Sequence, residues 1–140
     1  MSKPTIMVVD GQGGGLGKAI IERLRKEALT VRILAVGTNS IAASVMLKAG
    51  ADDVATGENA VVVNSSSADL ITGGIGIISA NAMLGEITPA MANAIAGARA
   101  TKLLVPSSRC DLVVVGAGAL TLAQRMEALA EQVRRMMPSL

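Results

Sequence analysis

The sequence predicts an α/β sandwich of three layers, with a mostly parallel sheet between helices and one antiparallel pair at a sheet edge. Three observations lead there. Short, β-branched apolar runs alternate with helical patterns along the chain, which is how βαβ units read. The composition is 51% hydrophobic and only 17% charged, as a sheet covered on both faces requires. Finally, two strand-like runs, Lys102–Val105 and Leu112–Val115, are joined by Pro106–Asp111 alone. That link is too short for a crossover helix and sets the two runs antiparallel. At 140 residues the chain is expected to be a single domain, residues 1–140, with a sizeable core.

The elements follow in order. Strand one is read at Thr5–Val9. Helix one is read at Gly15–Ala28, with Leu16, Ala19, Ile20 and Leu24 on its buried stripe and Glu22 spaced to pair with Lys26. Strand two is Val31–Val36. Thr38 or Asn39 is the N-cap of a helix that ends at Gly50. A short strand falls near Asp53–Ala55. Ala60–Asn64 is read as a short helix, although Val61-Val62-Val63 suits a strand equally well. Asp69–Thr72 is a strand. Thr88-Pro89 supplies an N-cap and a proline at the first helical position, starting a helix that reaches Ala98. The last helix spans Leu120–Met136. In it Leu122, Met126, Leu129, Val133, Met136 and Leu140 form an a/d stripe, with Glu131 placed to pair with Arg134 and Arg135. The default role of that stripe is to cover the chain's own sheet; the other reading is a homodimer through this C-terminal helix.

Composition excludes several function classes. Net charge is +2 and the basic residues are scattered, so no nucleic-acid footprint is expected. With no Phe, Tyr or Trp, no ring can stack on a base. The chain has no histidine and one cysteine, Cys110. A Ser-His-Asp triad, a Cys-His pair, a CxxC centre and ordinary zinc ligation are therefore excluded within one chain. Cys110 reads as a small buried filler, with a thiol activated by Arg109 as the lesser reading. The uncharged stretch Leu70–Gly85 is interrupted by Gly73, Gly74, Gly76 and Asn81, so no membrane span is expected. No segment reads as a signal peptide, and a cytoplasmic location is the expectation.

The chemistry concentrates where strand one enters a glycine cluster, Asp10-Gly11-Gln12-Gly13-Gly14-Gly15-Leu16-Gly17-Lys18. A strand, a glycine loop and a helix N-terminus present free amides and positive dipole to an anion. The loop is thus a candidate phosphate cradle; the bland alternative is a turn that lets the helix pack closely. In a parallel sheet, Gly37-Thr38-Asn39, Gly73-Gly74 and Pro106–Arg109 should collect around it at the strand ends. The spacing Gly11-xxx-Gly15-x-Gly17 resembles the cofactor loop of short-chain dehydrogenases, which implies NAD(P) or another nucleotide. That family's catalytic tyrosine is missing, and strand two ends in Thr38 and Asn39 where an acidic residue would grip a ribose. As a P-loop the stretch lacks parts: Gln12 stands for the first glycine and Ala19 for the Mg²⁺-binding hydroxyl. Asp10 reads equally as an Asx-turn former or as a ligand for a ribose hydroxyl or cation. Lys18 reads first as a solvated helix charge. Glu58 and Glu86 are further carboxylates within reach, with no acid–base pair assigned.

Five stretches together carry a wider resemblance: Val9–Lys18, Gly37–Asn39, Met46–Ala51, Ala55–Ala60 and Met83–Pro89. They resemble a family of small uncharacterised bacterial proteins, a domain of unknown function, many from anaerobes. The likeness runs to about Val115, and the final helix departs from it. It implies a Rossmann-like fold, leaves activity open, and adds weight to Gly37-Thr38-Asn39 and Gly57-Glu58-Asn59 as site loops. The expected function is binding of a small phosphate-bearing ligand, a nucleotide or dinucleotide, at Gly11–Gly17, as a sensor or accessory subunit. The alternatives are a small enzyme using the same pocket, with Asp10, Lys18 or Glu58 as catalytic groups, and a partner protein acting through its last helix.

Overall fold

A computed structural model describes residues 2–107 and 111–140. Its first strand, β1 (Thr5–Asp10), shows why the sheet is central: Ile6 and Val8 face one side, Met7 and Val9 the other, and all four are buried. A strand apolar on both faces must be covered by helices on both faces. The chain continues through α1 (Gly15–Lys26), β2 (Arg32–Gly37), α2 (Ser40–Ala49), β3 (Asp53–Thr56) and α3 (Glu58–Ser65). It then forms β4 (Leu70–Gly74), a 3₁₀ turn at Ile75–Ile78, α4 (Pro89–Ala96), β5 (Thr101–Val105) and α5 (Leu122–Met136).

All five strands are parallel, in the order β3-β2-β1-β4-β5. α1 packs against α2 and α5, and α3 against α4, which makes three layers. On the first face Ile20, Ile21, Leu24, Met46, Met126, Leu129 and Val133 close over Ile6, Val8 and Ile33. On the second, Val61, Ile77, Ile87, Met91 and Ile95 close over Met7, Val9, Leu34 and Ile71. The helix starts are capped as their sequences demand. Asn39 Oδ1 accepts from the Ala42 amide at 2.8 Å, Thr88 Oγ1 from Met91, and Thr121 forms a reciprocal box with Gln124. Each such cap is worth about 1 kcal/mol.

Three expectations are corrected, and one open choice is decided as expected. The antiparallel edge pair does not form: Leu112–Val115 is not a strand, and among the described residues β5 pairs only with β4, in parallel. Val113 and Val115 are 90% and 94% exposed. α5 already covers β5 on one face, and turns at Gly116 (φ 85°) and Gly118 (φ 71°) lead the chain to the Thr121 cap. The run therefore serves as a connection, with its valines left largely exposed. The open choice at Val61-Val62-Val63 resolves as helix, because Val61 alone of the three is buried. Glu22 pairs with Lys18 (3.9 Å) rather than Lys26. Arg134 reaches across to Glu27 at the C-terminal end of α1 at 2.5 Å, leaving Glu131 to Arg135 at 2.7 Å.

Candidate functional site: the cleft at the ends of β1 and β4

The strand order reverses between β1 and β4: α1 and α2 lead away on one face, α3 and α4 on the other. Such a switch point leaves a crevice beyond the carboxyl ends of the two strands. A cleft of about 1090 Å³ lies there. Its floor is Asp10, the loop Gly11–Leu16 and Gly74. Its walls are Met83 and Leu84 on one side and Val105, Pro106, Ser107 and Arg125 on the other.

The loop glycines divide into two kinds. A Cβ on Gly11 would lie 2.6 Å from Thr38 Oγ1, and one on Gly17 would lie 2.5 Å from Met46 Sδ and 3.0 Å from Asp10 Cβ. Gly14 has φ +75°, and its Cβ would lie 2.9 Å from the Ala42 backbone. Those three glycines are demanded by close approach or a left-handed backbone. Gly13 and Gly15 are not: among the described residues a Cβ on either meets nothing within 4 Å, and neither has a left-handed φ. Both line the cleft.

Asp10 is 6% exposed, and both of its oxygens are engaged. Oδ1 accepts from the Gly11 amide at 2.8 Å and Oδ2 from the Gly17 amide at 2.7 Å. It thus sits at the N-terminus of α1, against the positive end of the helix dipole. Burial pushes its carboxyl above the usual 3.8; the Gly17 and Gly11 amides pull it back in part, and the charge of Glu86 adds to the rise.

Glu86 is the residue that the sequence named without a role. Its Oε1 accepts from the Gln12 amide (2.9 Å), Thr38 Oγ1 (2.6 Å) and Asn39 Nδ2 (2.8 Å). Asn39 also donates to the Gln12 carbonyl at 3.0 Å. The three donors, Thr38 first, hold the Glu86 carboxyl below its usual 4.5. The loop that carries Glu86 holds left-handed Asn81, Met83 and Leu84 besides Gly85. Non-glycine residues in that region cost energy and persist only where surrounding contacts impose them.

The expected loops are thus brought together unevenly. Gly74 lines the cleft, whereas Gly73 is a packing glycine whose Cβ would lie 2.5 Å from the Val9 carbonyl. Gly37 likewise lies against the start of α2, its Cβ 2.6 Å from the Ala43 amide. Thr38 and Asn39 meet the glycine loop through Glu86. Lys18 points to Glu22 and Glu58 is exposed on α3; neither lines the cleft. Arg109 and Cys110 lie outside the described residues. Arg125 was not foreseen. It donates from Nη1 to the Pro106 carbonyl (2.5 Å) and from Nε to Leu120 (3.2 Å), and it is the cation among the described lining residues. Its distance in sequence from the loop leaves no local pattern that could reveal it. Among the described residues no cluster of acidic or sulfur ligands is arranged to hold a metal ion, and no helix is long and apolar enough to cross a membrane.

The family model for a domain of unknown function (DUF3842) matches residues 5–138, and the chain belongs to that family. No curated protein matches the sequence. Among solved structures, the chain is similar to a universal stress protein crystallised in complex with cAMP. That likeness is 20% identical, covers 76% of this chain and 98% of the other, and has a TM-score of 0.42. So loose a superposition carries no ligand chemistry across.

Proposed function

We propose that this DUF3842 chain binds a phosphate-bearing small ligand, a nucleotide or a dinucleotide such as NAD(P), in the cleft between the ends of β1 and β4, and acts as a sensor or accessory subunit. The observation that carries the proposal is the second kind of glycine. Gly13 and Gly15 are required by no contact among the described residues and by no left-handed backbone, yet they line the cleft beside the start of α1. Backbone that must approach a phosphate closely has this need, because any side chain would hold the anion away. Arg125 supplies a cation on the opposite wall.

Thermal unfolding followed by far-UV circular dichroism tests this, since no aromatic residue is present to report by fluorescence. The panel is NAD(H), NADP(H), ATP, GTP, cyclic nucleotides and phosphate. A ligand at 100 times its Kd adds about 2.7 kcal/mol, or a midpoint rise of about 9 °C for a chain of this length. No rise with any member of the panel would return the loop to a packing role.

The enzyme alternative is less well supported, because both oxygens of Asp10 are committed to the amides of Gly11 and Gly17. The homodimer reading moves away from the a/d face of α5, where Met126, Leu129 and Val133 are buried in the chain's own core. What favours self-association is the exposed run Leu112, Val113, Val114 and Val115 with Leu120 and Leu122 beyond it.

A further inference from the structure

The nucleotide reading meets a difficulty at the end of β2. In dinucleotide-binding folds a carboxylate there accepts from the ribose hydroxyls, and this chain has Gly37-Thr38-Asn39 instead. The fold supplies a carboxylate to the same place from elsewhere. The segment after β4 crosses above the strand ends and sets Glu86 against Thr38 and Asn39, which follow β2, and against Gln12, which follows β1. Among the described residues, every hydrogen bond to Glu86 ends on Oε1, and none is made to Oε2. One oxygen thus fixes the carboxylate and the other keeps its lone pairs. A half-buried carboxylate held in this way matches a vicinal diol, which needs an acceptor of fixed position beside a phosphate site.

We propose that Glu86 is the ribose-binding carboxylate of this protein, supplied by the β4–α4 connection in place of the end of β2, and that it selects ligands with free ribose hydroxyls. The inference rests on the nucleotide reading above. A 2′-phosphate would face the same negative charge, so the preferred class is a nucleotide with an unmodified ribose: NAD rather than NADP, and ribonucleotides rather than their deoxy forms.

The experiment compares binding of ATP, 2′,3′-dideoxy-ATP, NAD⁺ and NADP⁺ to the full chain and to Glu86→Gln by isothermal titration calorimetry. The glutamine carbonyl still accepts from Gln12, Thr38 and Asn39, so the loop stays in place. Its amide nitrogen cannot accept from a hydroxyl. The wild type is expected to bind at least one ribose-bearing probe, ATP or NAD⁺, about ten- to a hundredfold more tightly than its dideoxy or 2′-phosphorylated counterpart, the range for one or two hydrogen bonds to a charged acceptor. In Glu86→Gln that ratio falls to near one. Equal binding of both members of each pair by the wild type would overturn the role of Glu86 while leaving nucleotide binding intact. So would an undiminished ratio in the variant. If the wild type binds none of the four probes, this inference fails; if it also binds no other nucleotide of the wider panel, the nucleotide reading fails with it.

Discussion

Exchanging single glycines for alanine separates those fixed by packing, such as Gly73 of β4, from those open to the cleft, such as Gly15, and puts a number on each. At Gly73 the new methyl would lie 2.5 Å from the Val9 carbonyl of β1 and 3.1 Å from Ile77 Cδ1. The obstacle is backbone of the neighbouring central strand, paired in register with β4, so the strands must part by several tenths of an ångström. Such overpacking costs about 2–3 kcal/mol. At about 0.3 kcal/mol per degree for a chain of this length, the midpoint falls about 7–10 °C. At Gly15 the methyl meets nothing within 4 Å, and the backbone at the first turn of α1 is open to any residue. Gly15→Ala should therefore be neutral or gain up to about 1 kcal/mol from the restricted unfolded chain, a rise of at most about 3 °C. The same methyl intrudes where a phosphate would approach the amides, so affinity for the ligand found in the nucleotide panel should drop at least about tenfold. Circular dichroism melts give the first pair of values and calorimetric titration the second. Stability lost at Gly15 by more than about 1 kcal/mol, or affinity left unchanged by the methyl, would refute the division of the glycines.

Three further outcomes are expected. Asp10→Ala leaves the Gly11 and Gly17 amides without their acceptors and should cost about 2–4 kcal/mol, read as a lower urea midpoint. The Glu86 carboxyl is held below 4.5 by Thr38, Gln12 and Asn39, so its contribution is fully present above 4.5 and is lost as pH falls through the folded value. Urea melts across that acid range should show this limb in the wild type and a flatter one in Glu86→Gln. Met126→Glu should unfold the chain rather than dissociate a dimer, because Met126 is 6% exposed and packed in the core. Sedimentation of a folded monomer carrying that substitution would contradict this placement.

The fold was legible in the sequence wherever one element carried its own local signal. The double-sided apolar run of β1, the Asn39 and Thr88 caps, and the Gly50 stop each act over four residues or fewer, and each stands within a residue or two of its expected place. The edge was misread because Leu112–Val115 has the composition of a strand, while whether it pairs with β5 is settled by where the turns at Gly116 and Gly118 and the Thr121 cap lead the chain. The site divides in the same way. The glycine loop was visible as a pattern. Thr38 and Asn39 could be placed near it from the topology of a parallel sheet. Arg125 lines the cleft from more than 100 residues beyond the loop, Glu86 stands behind the lining and meets the loop at Gln12 from 74 residues further along the chain, and no spacing rule joins either to it.

The charges around the cleft also decide how a phosphate could enter. The N-terminus of α1, which an incoming anion would seek, is already answered by Asp10 through the Gly17 amide. A second carboxylate, Glu86, stands across the loop and raises the Asp10 carboxyl further. An anion placed against both would be repelled strongly; an anion placed toward Gly13, Gly15 and Arg125 would feel Asp10 more weakly. On the proposed nucleotide reading, the phosphate therefore belongs on the β4–β5 side of the loop, and the ribose on the β2 side. Protonation of Asp10 would remove one of the two negative charges. Because burial holds the Asp10 carboxyl above 3.8, some of that protonation falls above the pH at which an exposed carboxylate titrates. Affinity for a phosphate-bearing ligand should thus rise as pH falls through the folded value of Asp10, with a proton taken up on binding. Calorimetric titration in two buffers of different ionisation enthalpy measures that proton directly. Zero uptake across the Asp10 range would place the phosphate beyond the reach of its charge.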